Sequence, residues 1–247
     1  MYEDHPDAAP LNRFGLWWDR HIGKLLPRYM FFSLVFCYFF NCLTYLGTQD
    51  LMANAYHYDM TTAFDSAVPV IPAFVFIYAS FFIFWFGNFI YISHLGKEYW
   101  FRFVTADLLT RLICVVFFIL LPTTNVRPDL PGTDLASAGL RAVYAHDPPS
   151  DLFPSIHCLV SWLCFIGLRG NERVPKGYRR FACVYALLIC ASTLFVRQHV
   201  IADVFSGIAI AELCWHISRT TDLHKPVMRV FDWVERKIFW KITEQNA

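Results

Sequence analysis

Hydrophobic residues are gathered into long runs along the chain, and shorter polar segments separate these runs. Six runs predict membrane-spanning helices, at about 29–47, 68–92, 103–121, 154–169, 181–196 and 198–217. A helix that crosses the hydrocarbon core needs about 20 residues, so the fourth and fifth runs, with about 16 each, end below the membrane surface. The pattern predicts an all-α integral membrane protein, folded as a six-transmembrane-helix bundle.

Amphipathic stretches lie on both sides of the six runs. One helical face of residues 11–28 and one of residues 225–242 are apolar, with basic residues elsewhere. Such stretches are typical of helices that lie in the membrane interface. We therefore expect an interfacial segment at 1–28, a transmembrane domain at 29–217 and an amphipathic C-terminal helix at 218–247.

Lysine and arginine are distributed unevenly between the predicted loops. They are concentrated in both terminal segments and in the loops after the second and fourth runs, whereas the other three loops contain only Arg127, Arg141 and Arg197. By the positive-inside rule both termini are cytoplasmic, and the loops that contain these three arginines are extracytoplasmic. The short loops and compact chain favour a bacterial plasma (inner) membrane.

Composition supports a membrane protein and argues against a disulfide framework or a metal site built from cysteines. The chain is 56% hydrophobic and 18% aromatic over 247 residues, above the usual content of a soluble domain. The eight cysteines lie in or beside apolar runs without metal-ligand spacing, which favours packing roles. The first 28 residues are polar, so we expect no cleavable signal peptide and an uncleaved first span. There is no basic patch outside the cytoplasmic loops, so the sequence does not indicate a nucleic-acid partner.

Two histidines stand where apolar runs begin on the predicted outer face. His157 opens the fourth run and His199 opens the sixth, and Asp203 follows His199 by one helical turn. A histidine with an orienting acid, plus a second histidine, is sufficient for covalent phosphoryl transfer. We predict that His199 attacks phosphorus, that Asp203 fixes its tautomer, and that His157 protonates the leaving oxygen and then acts as a base.

Other residues near these histidines are candidates to bind a phosphate. Arg127 and Arg197 would clamp the non-bridging oxygens, and Asn125 is a further candidate. Ser155 would either cap the fourth span or donate to phosphate, and the N-termini of the fourth and sixth spans favour an anion. The sequence contains no cluster of carboxylates that would indicate a Mg²⁺ site, so we expect neither a metal nor a cofactor.

Several polar residues inside the runs have structural explanations. Asp107 and Arg111 are spaced as an ion pair on one helix, as are Glu212 and His216, and both pairs lie toward the cytoplasmic side. Asn41 and Asn88 are expected to form hydrogen bonds between helices.

Three short motifs resemble the signatures of the type-2 phosphatidic acid phosphatase superfamily. The sequence Pro154-Ser155-Ile156-His157 resembles its second signature, and Arg127-Pro128 resembles the end of its first. Ser192 through Asp203 resembles its third signature, and the resemblance covers roughly residues 30–217. It implies six membrane helices and an external site that cleaves phosphoesters of lipids.

Two departures from the signatures point to one branch of that superfamily. The lysine of the first signature is replaced by Leu120, and the arginine of the third by Thr193. This loss is similar to the sphingolipid-synthase branch (sphingomyelin and inositol phosphorylceramide synthases), which transfers a phospho-headgroup to a lipid alcohol. The expected function is a membrane lipid phosphatase or phosphotransferase that acts on a lipid phosphate. A headgroup transferase and a non-catalytic transporter or scaffold remain as alternatives.

Overall fold

The computed structural model describes residues 10–241, so the outer parts of the two predicted terminal segments, 1–9 and 242–247, lie outside the described residues. The structure is mostly helical. The twelve α-helices of this part of the chain are α1 (Arg13–His21), α2 (Arg28–Cys42), α3 (Thr48–Met52), α4 (Ala63–Ala67), α5 (Val75–Ala79), α6 (Phe81–Ser93), α7 (Lys97–Leu120), α8 (Leu135–His146), α9 (Ile156–Leu168), α10 (Lys176–Phe195), α11 (Ile201–Thr220) and α12 (His224–Phe239).

Short irregular elements join some of these helices. A π-helical stretch, Leu43–Gly47, makes α2 and α3 one continuous rod, and a 3₁₀ turn, Pro72–Phe74, leads into α5. Strands β1 (Tyr58–Asp59) and β2 (Thr123–Thr124) pair in parallel and fasten the loop after α3 to the end of α7. Residues 10–241 thus contain one two-stranded sheet beside the helices.

Five stretches within residues 10–241 are long and apolar enough to cross a membrane. They are Arg28–Met52, Pro72–Ser93, Lys97–Leu120, Lys176–Phe195 and Ile201–Thr220. Several begin or end in polar residues that the hydrophobic pattern left outside, because a helix continues into the interface wherever its side chains are solvated. The Arg102 guanidinium, for example, pairs with Glu98 at 2.9 Å in the first turns of α7. The predicted shortness of the fifth run is wrong for the same reason, since α10 has 20 residues.

The fourth predicted span corresponds to α9, which differs from the other five. It has 13 residues, and a helix of that length covers about 20 Å, less than the roughly 30 Å hydrocarbon core. Most of its side chains are buried, and it packs chiefly against α10, α11 and α6. Helix α9 is thus a short central helix surrounded by protein.

The two long predicted loops contain helices of their own. Residues 122–153 include α8, whose first amides are capped by Asp134, with its carboxylate 3.0 Å from the nitrogens of Ala136 and Ser137. Residues 48–67 include α3 and α4. A helix shorter than a membrane span leaves only a weak signal in the hydrophobic pattern, so these elements were not predicted.

The terminal amphipathic stretches pack on each other. Within residues 11–28 only α1 is helical before the turn to α2, and its Phe14 ring stacks on Phe239 of α12 at 5.3 Å. Leu11 forms a β-bridge with Trp240. Apolar side chains including Trp17 and Trp233 remain exposed, as expected for helices in the interface.

The polar residues inside the helices are partly paired as predicted, with two corrections. Asn41 does not form the predicted hydrogen bond between helices, because its amide oxygen is buried without a partner in the described part of the chain. Arg111 and Asp107 form a buried ion pair at 2.9 Å, and the Asn88 amide oxygen on α6 accepts from Tyr178 on α10. The predicted pairing of Glu212 with His216 is wrong. Arg169 reaches Glu212 from the end of α9 with two hydrogen bonds of 2.7 Å, because a guanidinium fork fits both carboxylate oxygens.

Candidate active site

Backbone contacts join the two predicted histidine segments at one end of the bundle. His157 is the second residue of α9, His199 lies in the turn between α10 and α11, and Asp203 lies in the first turn of α11. The Ser155 nitrogen donates to the Asp203 carbonyl oxygen at 3.2 Å. The Ser155 hydroxyl accepts from the Cys158 nitrogen at 3.2 Å and caps α9.

The turn that carries His199 is held by one carbonyl group. The Thr193 carbonyl oxygen accepts from the nitrogens of Gln198 and His199 at 2.9 and 3.2 Å. Arg197 adopts φ 52° within this turn, a left-handed conformation that costs a non-glycine residue about 1–2 kcal/mol. The Asn125 amide donates to the Arg197 carbonyl oxygen at 3.1 Å and helps hold this conformation.

Helices α9 and α11 approach closely because Gly207 lies between them. A Cβ atom placed on Gly207 would be 2.8 Å from the Ser155 carbonyl oxygen and 3.1 Å from the Leu159 nitrogen. Only a residue without a side chain permits this approach. The contact lies beside the first turn of α9, so it fixes the position of His157 relative to α11.

The two imidazoles meet directly. His157 Nδ1 lies 3.3 Å from His199 Nε2, and His199 Nδ1 lies 3.2 Å from Asp203 Oδ2. Asp203 is completely buried, and the same oxygen accepts from the Val200 nitrogen at 2.9 Å. The structure therefore brings together the three predicted catalytic residues.

The environment of His199 favours its charged form. Burial lowers the pKa of His199, but the hydrogen bond and the negative charge of Asp203 raise it, and the net pKa lies above the ordinary imidazole value. With Asp203 accepting the Nδ1 proton, Nε2 of the neutral ring has a free lone pair directed at the site. This tautomer is the one a nucleophile needs.

Aromatic rings surround His157. The ring centroids of Phe81, Tyr78 and Trp85 lie 4.6, 4.8 and 6.0 Å from that of the imidazole. The Tyr78 hydroxyl lies 3.1 Å from His157 Nε2 and also donates to Asp147 Oδ2 at 3.2 Å. Tyr78 and Asp147 were missed at the sequence level, because a tyrosine in an apolar run and an aspartate in an acidic loop form no recognisable spacing.

Arg127 reaches the site through Gln198. Its guanidinium donates to the Gln198 side-chain oxygen and to the Asp147 carbonyl oxygen, and lies 4.7 Å from the centre of the Tyr144 ring. Arg127 Nε is buried without a hydrogen-bond partner in the described structure. Arg127 thus places a positive charge next to the residue that precedes His199.

Arg197 points elsewhere. Its guanidinium donates to the Val68 carbonyl oxygen at 2.9 Å and to that of Ser66 at 3.4 Å. In this conformation it ties the loop before α5 to the turn of His199. Its predicted role in phosphate binding would require these hydrogen bonds to break.

The N-terminus of α11 is occupied by a carboxylate that sequence reasoning missed. Asp65 Oδ1 accepts from the Ile201 nitrogen at 2.7 Å. Burial raises the pKa of Asp65, but hydrogen bonds from Thr62 and Ile201 and the charge of Arg197 lower it below its ordinary value. The spacing of Thr62 and Asp65 is that of a capping box, which could have identified the start of α4.

The two positions where the signatures would have cations cannot supply one. Leu120 is 75% exposed at the end of α7, and Thr193 is fully buried with its hydroxyl donating to the Cys190 carbonyl oxygen at 2.7 Å.

The family model of the PAP2 superfamily matches residues 126–222. This segment belongs to the PAP2 superfamily. It contains His157, His199, Asp203 and Arg127, and the predicted superfamily is confirmed. Searches of curated proteins and of solved structures found no match. Membership of the PAP2 superfamily supports a phosphoester hydrolase or phosphotransferase, and the apolar helices support a multi-pass membrane protein.

Proposed function

We propose that the protein is a membrane lipid phosphatase or phosphotransferase that works through a phosphohistidine intermediate. The observation that carries this proposal is the row Asp203–His199–His157, joined by contacts of 3.2 and 3.3 Å. Residues 29–217 form the catalytic domain, and the two terminal segments lie on the cytoplasmic interface.

In the first step His199 Nε2 attacks the phosphorus atom of the bound ester. A nitrogen–phosphorus bond forms, the bond to the leaving oxygen breaks, and His157 gives that oxygen a proton. The phosphate displaces the direct contact between the two rings. Asp203 remains hydrogen-bonded to Nδ1 and stabilises the positive charge that develops on His199.

In the second step a hydroxyl group attacks the phosphohistidine. His157 accepts the proton of the attacking oxygen, the oxygen–phosphorus bond forms and the nitrogen–phosphorus bond breaks. Water as the attacking group gives hydrolysis, and a lipid alcohol gives transfer of the phospho-headgroup.

Arg127 is the best-placed cation for the phosphate oxygens, because it already contacts the side chain of Gln198. Arg197 would join only after leaving the loop carbonyls. Ser155 retains a hydroxyl proton that can be donated, whereas the Asn125 amide already donates to the Arg197 carbonyl oxygen.

The position of the histidines supports a lipid substrate and an extracytoplasmic site. They lie at the start of the short helix α9, below the level that a full-length span would reach. A recessed site suits a lipid headgroup better than a soluble metabolite. The distribution of lysine and arginine directs this end of the bundle away from the cytoplasm, in a bacterial plasma membrane.

Headgroup transfer of the sphingolipid-synthase type is the second candidate. It is favoured by Leu120 and Thr193, which stand where hydrolases of the superfamily are expected to have phosphate-binding cations.

The test is incubation of the purified protein with a labelled phospholipid, with and without a lipid alcohol. Release of free phosphate or phospho-headgroup indicates a hydrolase, and a new labelled phospholipid indicates a transferase. Vanadate, which mimics the pentacoordinate phosphorus of the transition state, should inhibit either reaction. Full turnover by His199→Ala protein would contradict the proposed mechanism. No turnover by the wild-type protein, and no effect of vanadate, is expected if the chain is a transporter or scaffold.

A further inference from the structure

We propose that Tyr78 and Asp147 are positioning residues that hold His157 with its proton on Nε2 and leave Nδ1 to exchange protons with the substrate. This inference rests on the proposed function and extends it to two residues outside the three signatures. In this arrangement Asp147 orients His157 through the Tyr78 hydroxyl, whereas Asp203 orients His199 by a direct hydrogen bond.

The argument begins with the single proton of the Tyr78 hydroxyl. That hydroxyl lies 3.2 Å from Asp147 Oδ2 and 3.1 Å from His157 Nε2. An ionised carboxylate only accepts hydrogen bonds, and bonds to a charged acceptor are the stronger ones. The Tyr78 proton therefore goes to Asp147, and the Tyr78 oxygen is left to accept from His157 Nε2.

The same reasoning assigns the opposite nitrogen. Once Nε2 of His157 is a donor, a proton on Nδ1 makes the ring an imidazolium, and this second proton is the one that His157 can give away. It is supplied across the contact with His199 Nε2, which Nδ1 faces at 3.3 Å. A phosphate attacked by His199 would thus meet the acidic proton of His157. After the transfer His157 is neutral, with its remaining proton still on Nε2, and can take a proton back at Nδ1.

The carboxylate of Asp147 is held in place from several sides. Its other oxygen accepts from the Tyr45 hydroxyl at the outer end of the first span. Its backbone carbonyl accepts from Arg127. The Thr48 hydroxyl donates to Asp151 at 3.2 Å, and the Thr124 hydroxyl donates to the Pro149 carbonyl oxygen at 2.6 Å. The loop is therefore a fixed support, as positioning requires.

The experiment compares two esters that differ in their need for a general acid. Dioctanoyl phosphatidic acid has an alkoxide leaving group that must be protonated, whereas p-nitrophenyl phosphate has a leaving group that departs as a stable anion. The ratio kcat/KM reports the steps up to formation of the phosphoenzyme, in which the leaving group departs. It is measured in detergent micelles for wild type, Tyr78→Phe, Asp147→Asn and His157→Ala.

General acid catalysis contributes about 10²- to 10⁴-fold. We expect His157→Ala to lose at least about 100-fold on the phosphatidic acid and less than about threefold on the p-nitrophenyl ester. Tyr78→Phe and Asp147→Asn should show the same asymmetry, with a loss of at least about tenfold on the phosphatidic acid. Tyr78→Phe removes one hydroxyl group and keeps the ring, so it tests the inference even if Asp147→Asn fails to fold.

Tyr99→Phe is the matched control. The Tyr99 hydroxyl donates to the Gly167 carbonyl oxygen at 2.7 Å, near the opposite end of α9, and its loss should leave the ratio of the two rates unchanged. Suppose that His157→Ala shows the asymmetry. Equal losses on both esters in Tyr78→Phe, or no loss on either, would then overturn the positioning role of Tyr78. A His157→Ala protein without asymmetry contradicts the role of His157 in the proposed function. A wild-type protein inactive on both esters contradicts the proposed hydrolysis of a lipid phosphate, and the inference for that reaction falls with it.

Discussion

Replacing Gly207 with alanine tests how closely the two helices that carry the site must approach. The new Cβ atom would lie 2.8 Å from the Ser155 carbonyl oxygen, 3.1 Å from the Leu159 nitrogen and 3.3 Å from Cys158 Cβ. Two of these atoms belong to the backbone of α9 and of its N-cap residue, and backbone atoms cannot rotate away. Since carbon contacts are relaxed at about 3.5–4.0 Å, the helices must separate by roughly half an ångström or more.

Such overpacking costs about 1–3 kcal/mol of folding free energy. For a chain of this size each kcal/mol lowers Tm by about 2–4 °C, so we expect a loss of roughly 2–12 °C. The displaced backbone carries His157, so its 3.3 Å contact with His199 lengthens. A misplacement of 1 Å costs about 100-fold in rate, and half that displacement should cost about tenfold.

The assay measures Tm in detergent and turnover of a lipid phosphate for Gly207→Ala and for Gly87→Ala. Gly87 also lies within a helix, α6, but a Cβ atom there would meet nothing within 4 Å. The control should keep both Tm and activity. If Gly207→Ala behaves like the control, the helices do not pack as described. If Tm falls while turnover stays at the wild-type level, the spacing of α9 and α11 does not control the site.

Three further predictions concern the side chains of the site. Asp203→Asn should lower kcat by about 10³–10⁴-fold with the fold retained, because the amide supports the wrong tautomer of His199; wild-type turnover would contradict its orienting role. The raised pKa of His199 should place the acid limb of phosphoenzyme formation above the ordinary imidazole range, because Nε2 must be unprotonated to attack. Asp203→Asn should move this limb to lower pH, which single-turnover rates measured across pH would detect. Arg127→Ala should lower kcat/KM by about 100-fold. Arg197→Gly keeps the left-handed turn but loses two hydrogen bonds to the loop before α5, so it should lower Tm and leave kcat/KM less affected. A large loss of kcat/KM in Arg197→Gly and a small one in Arg127→Ala would make Arg197 the residue that binds the phosphate.

The sequence was informative where chemistry depends on spacing. An interval of four residues indicated Asp203 as the partner of His199, although His199 lies in the turn before α11 and not in the helix. The start of an apolar run placed His157 at a helix N-terminus. Both inferences need only the period of a helix and the thickness of a membrane. The structure adds that the two segments touch, with Gly207 as the reason.

The contacts that connect distant segments could not be predicted in the same way. Asp65 caps a helix that begins 136 residues later, and Asp147 meets Tyr45 across 102 residues. Neither pair leaves a periodic signal, because each depends on how loops fold over the end of the bundle. Arg197 illustrates the same limit, since its sequence position suggested the site but its left-handed backbone directs the side chain to another loop.

Helix α9 shows why hydrophobic runs alone do not define membrane spans. Its sequence is as apolar as those of its neighbours, yet it is surrounded by other helices. A helix buried in protein and one buried in lipid need the same side chains, so only length separated α9 from the five longer helices.

The most direct test of the covalent mechanism is to trap the phosphorylated enzyme. Wild-type protein would be mixed with ³²P-labelled phosphatidic acid, quenched within the first turnover under alkaline conditions that preserve phosphohistidine, digested and mapped by peptide. The account predicts label on the peptide that contains His199, formed before product accumulates and missing from His199→Gln protein. Turnover without protein-bound label, or label on another residue, would contradict it.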